Sequence, residues 1–264
     1  MMQINLTGLD NVRAALAAFP KKAKYAAVKA MNTSMEWAQT DVRKEMRRVF
    51  DRPTPWVLNS LRIKYAKPDT MAAELAYKDV WSKNTTGPES SRTMIEPHVL
   101  GGQRDFKTME VRLLRIGLLP SGYNVVPGAA AKLDAYGNMG RGQISQLLNV
   151  LGAYTEAGYN KANNKTVKRL AKGNAKKGIN GFEYIVVKVR SPMARRLHPG
   201  VYQRVATGFG SSLKPILMFI SRATYRPRLD FYGITKRVID QRFPAEFDRA
   251  FAAEMNRTAG PMSG

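Results

Sequence analysis

The chain has 264 residues, 44% hydrophobic and 24% charged, which is enough apolar material for a globular core and excludes global disorder. Its 43 lysines and arginines exceed its 20 acids, and the net charge of +23 favours a negatively charged partner. With no cysteine and only two histidines, the sequence excludes disulfide scaffolds, thiolate zinc sites and three-histidine metal centres.

No stretch of the sequence has the features of a membrane or export segment. The apolar runs are far shorter than the roughly 18 residues of a membrane span. The N-terminus has no basic segment followed by an apolar run and a cleavage site. We therefore expect a protein made in the cytoplasm that has no membrane partner.

The N-terminal third predicts helices followed by a hairpin. Residues 1–6 alternate in hydrophobicity and predict a short strand, and a first helix follows up to Pro20. A long helix is expected over 21–49. It cannot continue much further, because Pro53 and Pro55 follow it. Its apolar side comprises Val28, Met31, Met35, Ala38, Val42, Met46 and Val49. Residues 60–78 predict a β-hairpin around a Pro-Asp-Thr turn.

The rest of the chain divides into a loop-rich middle and a regular C-terminal part. The middle predicts helices over 104–116 and 144–154, a Gly/Pro/Ala-rich stretch between them that is largely extended or looped, and a basic loop over 160–181. Three strands are expected at FEYIVVKV, VYQRVAT and KPILMFI. A last helix is expected over 230–257, with a step at Pro244.

This order of elements predicts an α+β fold, with a small, mostly antiparallel sheet packed by the long N-terminal helix and the C-terminal helix. We expect the sheet to combine the hairpin with the strands of 182–220. The predicted divisions are residues 1–81 for the N-terminal half of the core, 82–180 for a loop-rich insertion with a basic arm, and 181–264 for the C-terminal half.

Positive charge is concentrated in one part of the chain, since residues 161–228 hold sixteen lysines and arginines and one acid, Glu183. Lysines in a loop suit nonspecific contact with a phosphate backbone. An acidic protein partner, or solvation alone, would also account for the charge. The candidate contacts to DNA or to an acidic partner are Lys161, Lys165, Lys168, Arg169, Lys172, Lys176, Lys177, Arg195 and Arg196. The candidate subunit contacts are Trp56, Trp81, Tyr225, Arg226 and Arg228.

No motif with a catalytic spacing stands out. The glycines of GNMGRG lack the Gly-Lys-Ser/Thr ending of a phosphate-binding loop. Glu74 and Lys78, after Asp69, would lie about 13 Å apart on a strand, too far to share the metal of a nuclease. His98 and His198 each adjoin a proline and are expected to be structural. We therefore expect no catalytic, metal or cofactor site and no enzymatic activity.

Both ends of the chain resemble the phage minor tail protein Z family and its relatives among head–tail joining and tail-completion proteins. The N-terminal resemblance lies in GLDNVRAALAAF, in the entry AAVKAMN of the long Ala/Lys/Arg-rich helix, and in the step DRPTPWVLNSLRIKYAKP. The C-terminal resemblance lies in HPGVYQRV, LKPILMFI and ATYRPRLDFYGITKRVID. The resemblance covers about residues 5–80 and 195–257, and covers the middle only loosely.

The resemblance implies a structural protein of the virion, at the head–tail junction or in the tail. Such a protein forms a ring, six- or twelve-fold, against portal, connector or tail-tube proteins. The concentrated positive charge would in turn suit a ring around packaged double-stranded DNA. An alternative from another class is a nonspecific DNA-binding protein that is not a ring subunit. A nucleic-acid enzyme, with metal-dependent cleavage through Asp69 or Glu74, is a third hypothesis.

Overall fold

The structure is a computed structural model, and it describes residues 10–78, 91–154, 164–174, 179–207 and 210–257. The helices are α1 Asp10–Ala18, α2 Pro20–Val49, α3 Pro55–Leu58, α4 Ser91–Leu100, α5 Thr108–Arg115, α6 Arg141–Val150, α7 Asn164–Lys172 and α8 Phe231–Asn256. The strands are β1 Leu61–Lys64, β2 Glu74–Tyr77, β3 Gly102–Gln103, β4 Tyr123–Pro127, β5 Gly173–Asn174, β6 Ile179–Asn180, β7 Phe182–Val187, β8 Gly200–Thr207, β9 Gly210–Ser221 and β10 Thr224–Tyr225. All of the pairings are antiparallel, and the α+β class is confirmed. The strand predicted at 1–6 lies outside the described residues.

The chain forms two compact units. The first comprises Met1–Lys83, Ser90–Gly101 and Arg226–Gly264, and the second comprises Asn84–Glu89 and Gly102–Tyr225. These boundaries differ from the predicted divisions at residues 81 and 180. The C-terminal helix joins the N-terminal helices in the first unit, whereas the predicted C-terminal strands belong with the middle of the chain in the second.

The first unit is organised around its two long helices. Pro20 opens α2 at a position where its missing N–H needs no partner, and α8 packs along α2. The side of α2 that carries Ala23, Ala26 and Ala30 is fully buried against the cluster containing Phe243 and Phe247. Small alanines let the backbones approach closely, and the phenylalanines fill the space between them.

The predicted hairpin is confirmed, with β1 pairing β2 from Leu61↔Tyr77 to Lys64↔Glu74. The expectation that it shares a sheet with the strands of 182–220 is wrong, because β1 and β2 form a two-stranded sheet of their own. Leu61 packs with Val42 and Met46 of α2, so the hairpin covers the C-terminal half of that helix.

The second unit is built on a four-stranded sheet in the order β4-β9-β8-β7. Its strand β4 lies in the stretch predicted to be extended or looped, where the short run Tyr-Asn-Val-Val pairs with β9 at the register Val125↔Phe219. Leu113 of α5 and Leu147 of α6 pack in one core with Leu217 and Phe219. The predicted insertion therefore supplies an edge strand and two packing helices to this sheet, and the first and last helices belong to the other unit.

Candidate functional site

The excess of positive charge is greatest in the second unit. It holds 20 lysines and arginines against six acids, a net charge of +14, whereas the first unit holds 23 against 14, a net charge of +9. The concentration predicted from the sequence therefore belongs largely to one folded unit.

Part of the predicted basic arm is a helix. The expectation of a loop over 160–181 is wrong for residues 164–172, which form α7. Lysine, arginine, leucine and alanine all favour helices, and the helix ends at Gly173, whose φ of 69° few other residues adopt readily. Arg169 and Lys172 lie in the last turn, where cations complement the helix dipole.

The helix brings four of the predicted contact residues onto one face. Lys165, Lys168, Arg169 and Lys172 follow each other at spacings of three, one and three residues, and all four side chains are exposed. Leu170, on the other side of the helix, is half-buried, and α7 packs against β7. The four cations are therefore held on an ordered surface. We call this group the α7 basic face.

The C-terminal turn of α7 lies directly on the chain that enters β7. A Cβ atom placed on Gly181 would lie 1.8 Å from the carbonyl oxygen of Ala171, so only glycine fits at this position without backbone movement. This close approach fixes where the α7 basic face lies on the sheet.

Replacing Gly181 with alanine is expected to displace α7 and to destabilise the second unit by about 1–3 kcal/mol, since the clash is with backbone and not with a flexible side chain. Urea unfolding and hydrogen exchange of peptides covering 164–187 would measure the effect. Gly142→Ala is the matched control, because a Cβ there meets no atom within 4 Å. Equal stability of the two variants would contradict the predicted contact.

Arg195 and Arg196 lie in the connection between β7 and β8. A short 3-10 helix at Pro192–Arg195 precedes Arg196, and both arginine side chains are exposed. The hydroxyl of Tyr202 donates a hydrogen bond of 2.7 Å to the carbonyl oxygen of His198, which ties this connection to β8. The His198 side chain is exposed in the turn, and the prediction of a structural role for it stays a prediction.

Among the described residues, no acid of the second unit forms an ion pair with the α7 basic face. Glu183 pairs with Arg204 at 2.5 Å, so the single acid of residues 161–228 is engaged elsewhere. The carboxylate of Asp134 accepts backbone hydrogen bonds from Tyr136 and Asn138, both at 2.9 Å. The described ion pairs include none with the cations of α7.

The remaining acid with a defined role is Glu110, which is fully buried. It accepts two hydrogen bonds of 2.7 Å from the guanidinium of Arg104, one of 2.8 Å from the N–H of Lys107, and one of 2.7 Å from the N–H of Val125. Burial alone raises the pKa of Glu110, but these hydrogen bonds outweigh burial and hold that pKa below its ordinary value. No sequence motif around Glu110 indicates these contacts, because Arg104 and Val125 lie on different elements.

The other predicted residues are dispersed. Lys161, Lys176, Lys177 and Trp81 lie outside the described residues. Trp56, in α3, and the exposed Arg226 and Arg228 belong to the first unit, whereas Tyr225 pairs with Gly102 in the second. The backbone N–H of Arg228 donates to the carbonyl oxygen of His98 at 2.7 Å, which anchors the chain next to that arginine.

One signal for the α7 basic face was present in the sequence. The spacing of the four cations in NKTVKRLAK matches a helical face, but the polar and basic composition of the whole stretch 160–181 favours a loop. Elsewhere, the structure stacks the guanidinium of Arg242 on the half-exposed ring of Trp37 at 4.6 Å, and sequence spacing gives no indication of this contact.

Within the described ranges, no three or more carboxylate and histidine side chains are grouped to hold a metal ion. None of the helices described is both long and apolar enough to cross a membrane. Comparisons of the chain with protein-family models, with curated proteins and with solved structures find no match.

Proposed function

We propose that the chain is a structural subunit of a bacteriophage virion, at the head–tail junction or in the tail. In this proposal it assembles into a ring with portal, connector or tail-tube proteins as neighbours, and the α7 basic face lies next to DNA or an acidic partner. The observation that carries the proposal is the ordered cationic face on a unit with a net charge of +14.

The arrangement of the two resembling ends also supports this function. Residues 10–78 and 226–257, which include most of the N-terminal resemblance and the end of the C-terminal one, fold together in the first unit around α2 and α8. The motifs HPGVYQRV and LKPILMFI of the C-terminal resemblance belong to the second unit, where they contribute to β8 and β9. The middle of the chain, where the resemblance is loose, supplies most of the second unit.

Negative-stain electron microscopy of the purified protein, with its mass in solution measured at moderate salt, tests the proposal. We expect closed rings with six- or twelve-fold averages. A monomer that binds DNA tightly would instead favour the alternative of a nonspecific DNA-binding protein, which the same α7 basic face would serve.

The proposed subunit contacts can be tested by charge reversal. The double variant Arg226→Glu/Arg228→Glu is expected to weaken ring association at least about tenfold, roughly 1.4 kcal/mol, because it alters charges at the proposed interface. Lys21→Glu/Lys24→Glu makes the same change of net charge at exposed positions of α2 and is the matched control. Equal loss of rings in both variants would show an effect of net charge and would remove Arg226 and Arg228 from the interface.

A further inference from the structure

The α7 basic face has a charge density that few surfaces can match. Lys165 and Lys172 are seven residues apart, so the four cations occupy about 10 Å of helix axis. A DNA duplex carries one phosphate charge per about 1.7 Å of its axis, and this density does not depend on sequence. The backbone of a duplex therefore supplies several anions within reach of this face.

An acidic protein is a poorer match. It would need several carboxylates within the same 10 Å or so, at the cost of their mutual repulsion. Interfaces between proteins are also depleted of lysine and enriched in aromatic residues, whereas three of the four cations are lysines and α7 has no aromatic residue. Among the large apolar side chains of the helix, Val167 is exposed, at 37%.

The helix also lacks side chains that stack on unpaired bases. Recognition of single strands relies on aromatic side chains that stack on bases, and α7 contains none. Lysines act as point charges on flexible stems, which suits phosphates at varying positions. Since α7 is held against β7 on its other side, these charges are presented outward as a group.

We propose that the α7 basic face, formed by Lys165, Lys168, Arg169 and Lys172, binds the phosphate backbone of double-stranded DNA without reading its sequence. The inference rests on the proposed function, because it names the partner of the same basic surface. It assigns the contact to one helix and not to the overall charge of the chain.

The test compares two variants of equal charge in the full-length protein. The first replaces all four cations of the α7 basic face with glutamine, which preserves helix propensity. The matched control is Lys21→Gln/Lys24→Gln/Lys29→Gln/Arg47→Gln, which removes three lysines and one arginine from exposed positions of α2. Binding to a short duplex is measured by fluorescence anisotropy over a range of salt concentrations, with two unrelated duplex sequences and with polyglutamate as the acidic polypeptide.

The wild-type protein is expected to bind both duplexes with affinities within about twofold of each other, because phosphate contacts carry no sequence information. The α7 variant is expected to lose about 3–4 from the slope of log K against log salt, at about 0.9 for each phosphate contact. Its affinity at about 0.1 M salt should fall roughly 100-fold or more, while the control keeps most of the slope.

Three results would overturn the inference: wild-type protein that does not bind duplex at low salt, equal loss of slope in both variants, or loss of polyglutamate binding with duplex binding retained. The last would assign the face to an acidic protein. Circular dichroism and electron microscopy of both variants separate this inference from the proposed function. Rings without duplex binding would overturn only the inference, whereas duplex binding through α7 without rings would count against the virion subunit.

Discussion

Replacing Glu110 with glutamine is expected to destabilise the second unit by about 3–5 kcal/mol, because the change leaves the Arg104 guanidinium buried without a counter-charge. The Arg104 side chain is only 11% exposed, and that of Glu110 is fully buried. Each carboxylate oxygen accepts two hydrogen bonds, so the amide group of a glutamine would direct its own N–H groups at donors. Urea unfolding followed by circular dichroism measures the loss.

The control for this prediction is the exposed ion pair of the same unit. Glu183 and Arg204 are each about half exposed, and Glu183→Gln is expected to cost less than about 1 kcal/mol. Hydrogen exchange of peptides covering 104–127 should increase in Glu110→Gln, since the carboxylate joins the start of α5 to β4. Equal destabilisation by Glu110→Gln and Glu183→Gln would contradict the prediction that the buried ion pair contributes more to stability than the exposed one.

Glu110 also predicts the response of the second unit to acid. Since its pKa is lowered in the folded state, it contributes stability above the ordinary glutamate pKa of about 4.3. That contribution is lost progressively as the pH falls below this value and through the folded pKa. The wild-type protein should therefore lose more stability on acidification than Glu110→Gln does.

Replacing Phe247 with alanine is expected to destabilise the first unit by about 3–5 kcal/mol, because the change opens a cavity between α2 and α8. Phe247 is only 1% exposed and packs in the same cluster as Ala23, Ala26 and Ala30. Its ring stacks on that of Phe251, with centroids 5.7 Å apart and planes 8° apart. Its removal therefore costs both burial and ring contact.

Tryptophan fluorescence during urea unfolding follows this effect, since Trp37 and Trp56, the tryptophans among the described residues, both belong to the first unit. Among them, Trp37 lies on α2 and contacts Arg242 of α8, so it reports on this pair of helices. Phe251→Ala is the control, and its expected cost is less than half as large because Phe251 is only partly buried. A loss from Phe251→Ala equal to that from Phe247→Ala would place the centre of the cluster nearer to Phe251.

The helical structure of residues 164–172 affects the entropic cost of binding through their cations. An ordered cationic helix loses less conformational entropy on binding than the same lysines would lose in a loop. Residues 164–172 therefore present their charges at a lower entropic cost than the predicted basic loop would. The α7 basic face is the part of the predicted contact set for which the structure gives a defined geometry.

Local sequence patterns determined the helices and strands in which the spacing of apolar residues, or a turn motif, is visible in the segment itself. The helical spacing of apolar residues predicts α2 and α8, the Pro-Asp-Thr turn predicts the hairpin, and short strand-like runs predict β7, β8 and β9. These features depend on neighbours along the chain. The strong excess of lysine and arginine in 161–228 was likewise evident in the sequence.

Only the tertiary structure decided which of these elements belong together. Strand pairing joins residues far apart in sequence, so the pairing of β4 with β9 and the separate hairpin followed from long-range contacts that no local period encodes. The same holds for Glu110, whose partners Arg104 and Val125 lie on different elements. The polar and basic composition of 160–181 predicts a loop, but packing of Leu170 and the close approach at Gly181 hold residues 164–172 as a helix on β7.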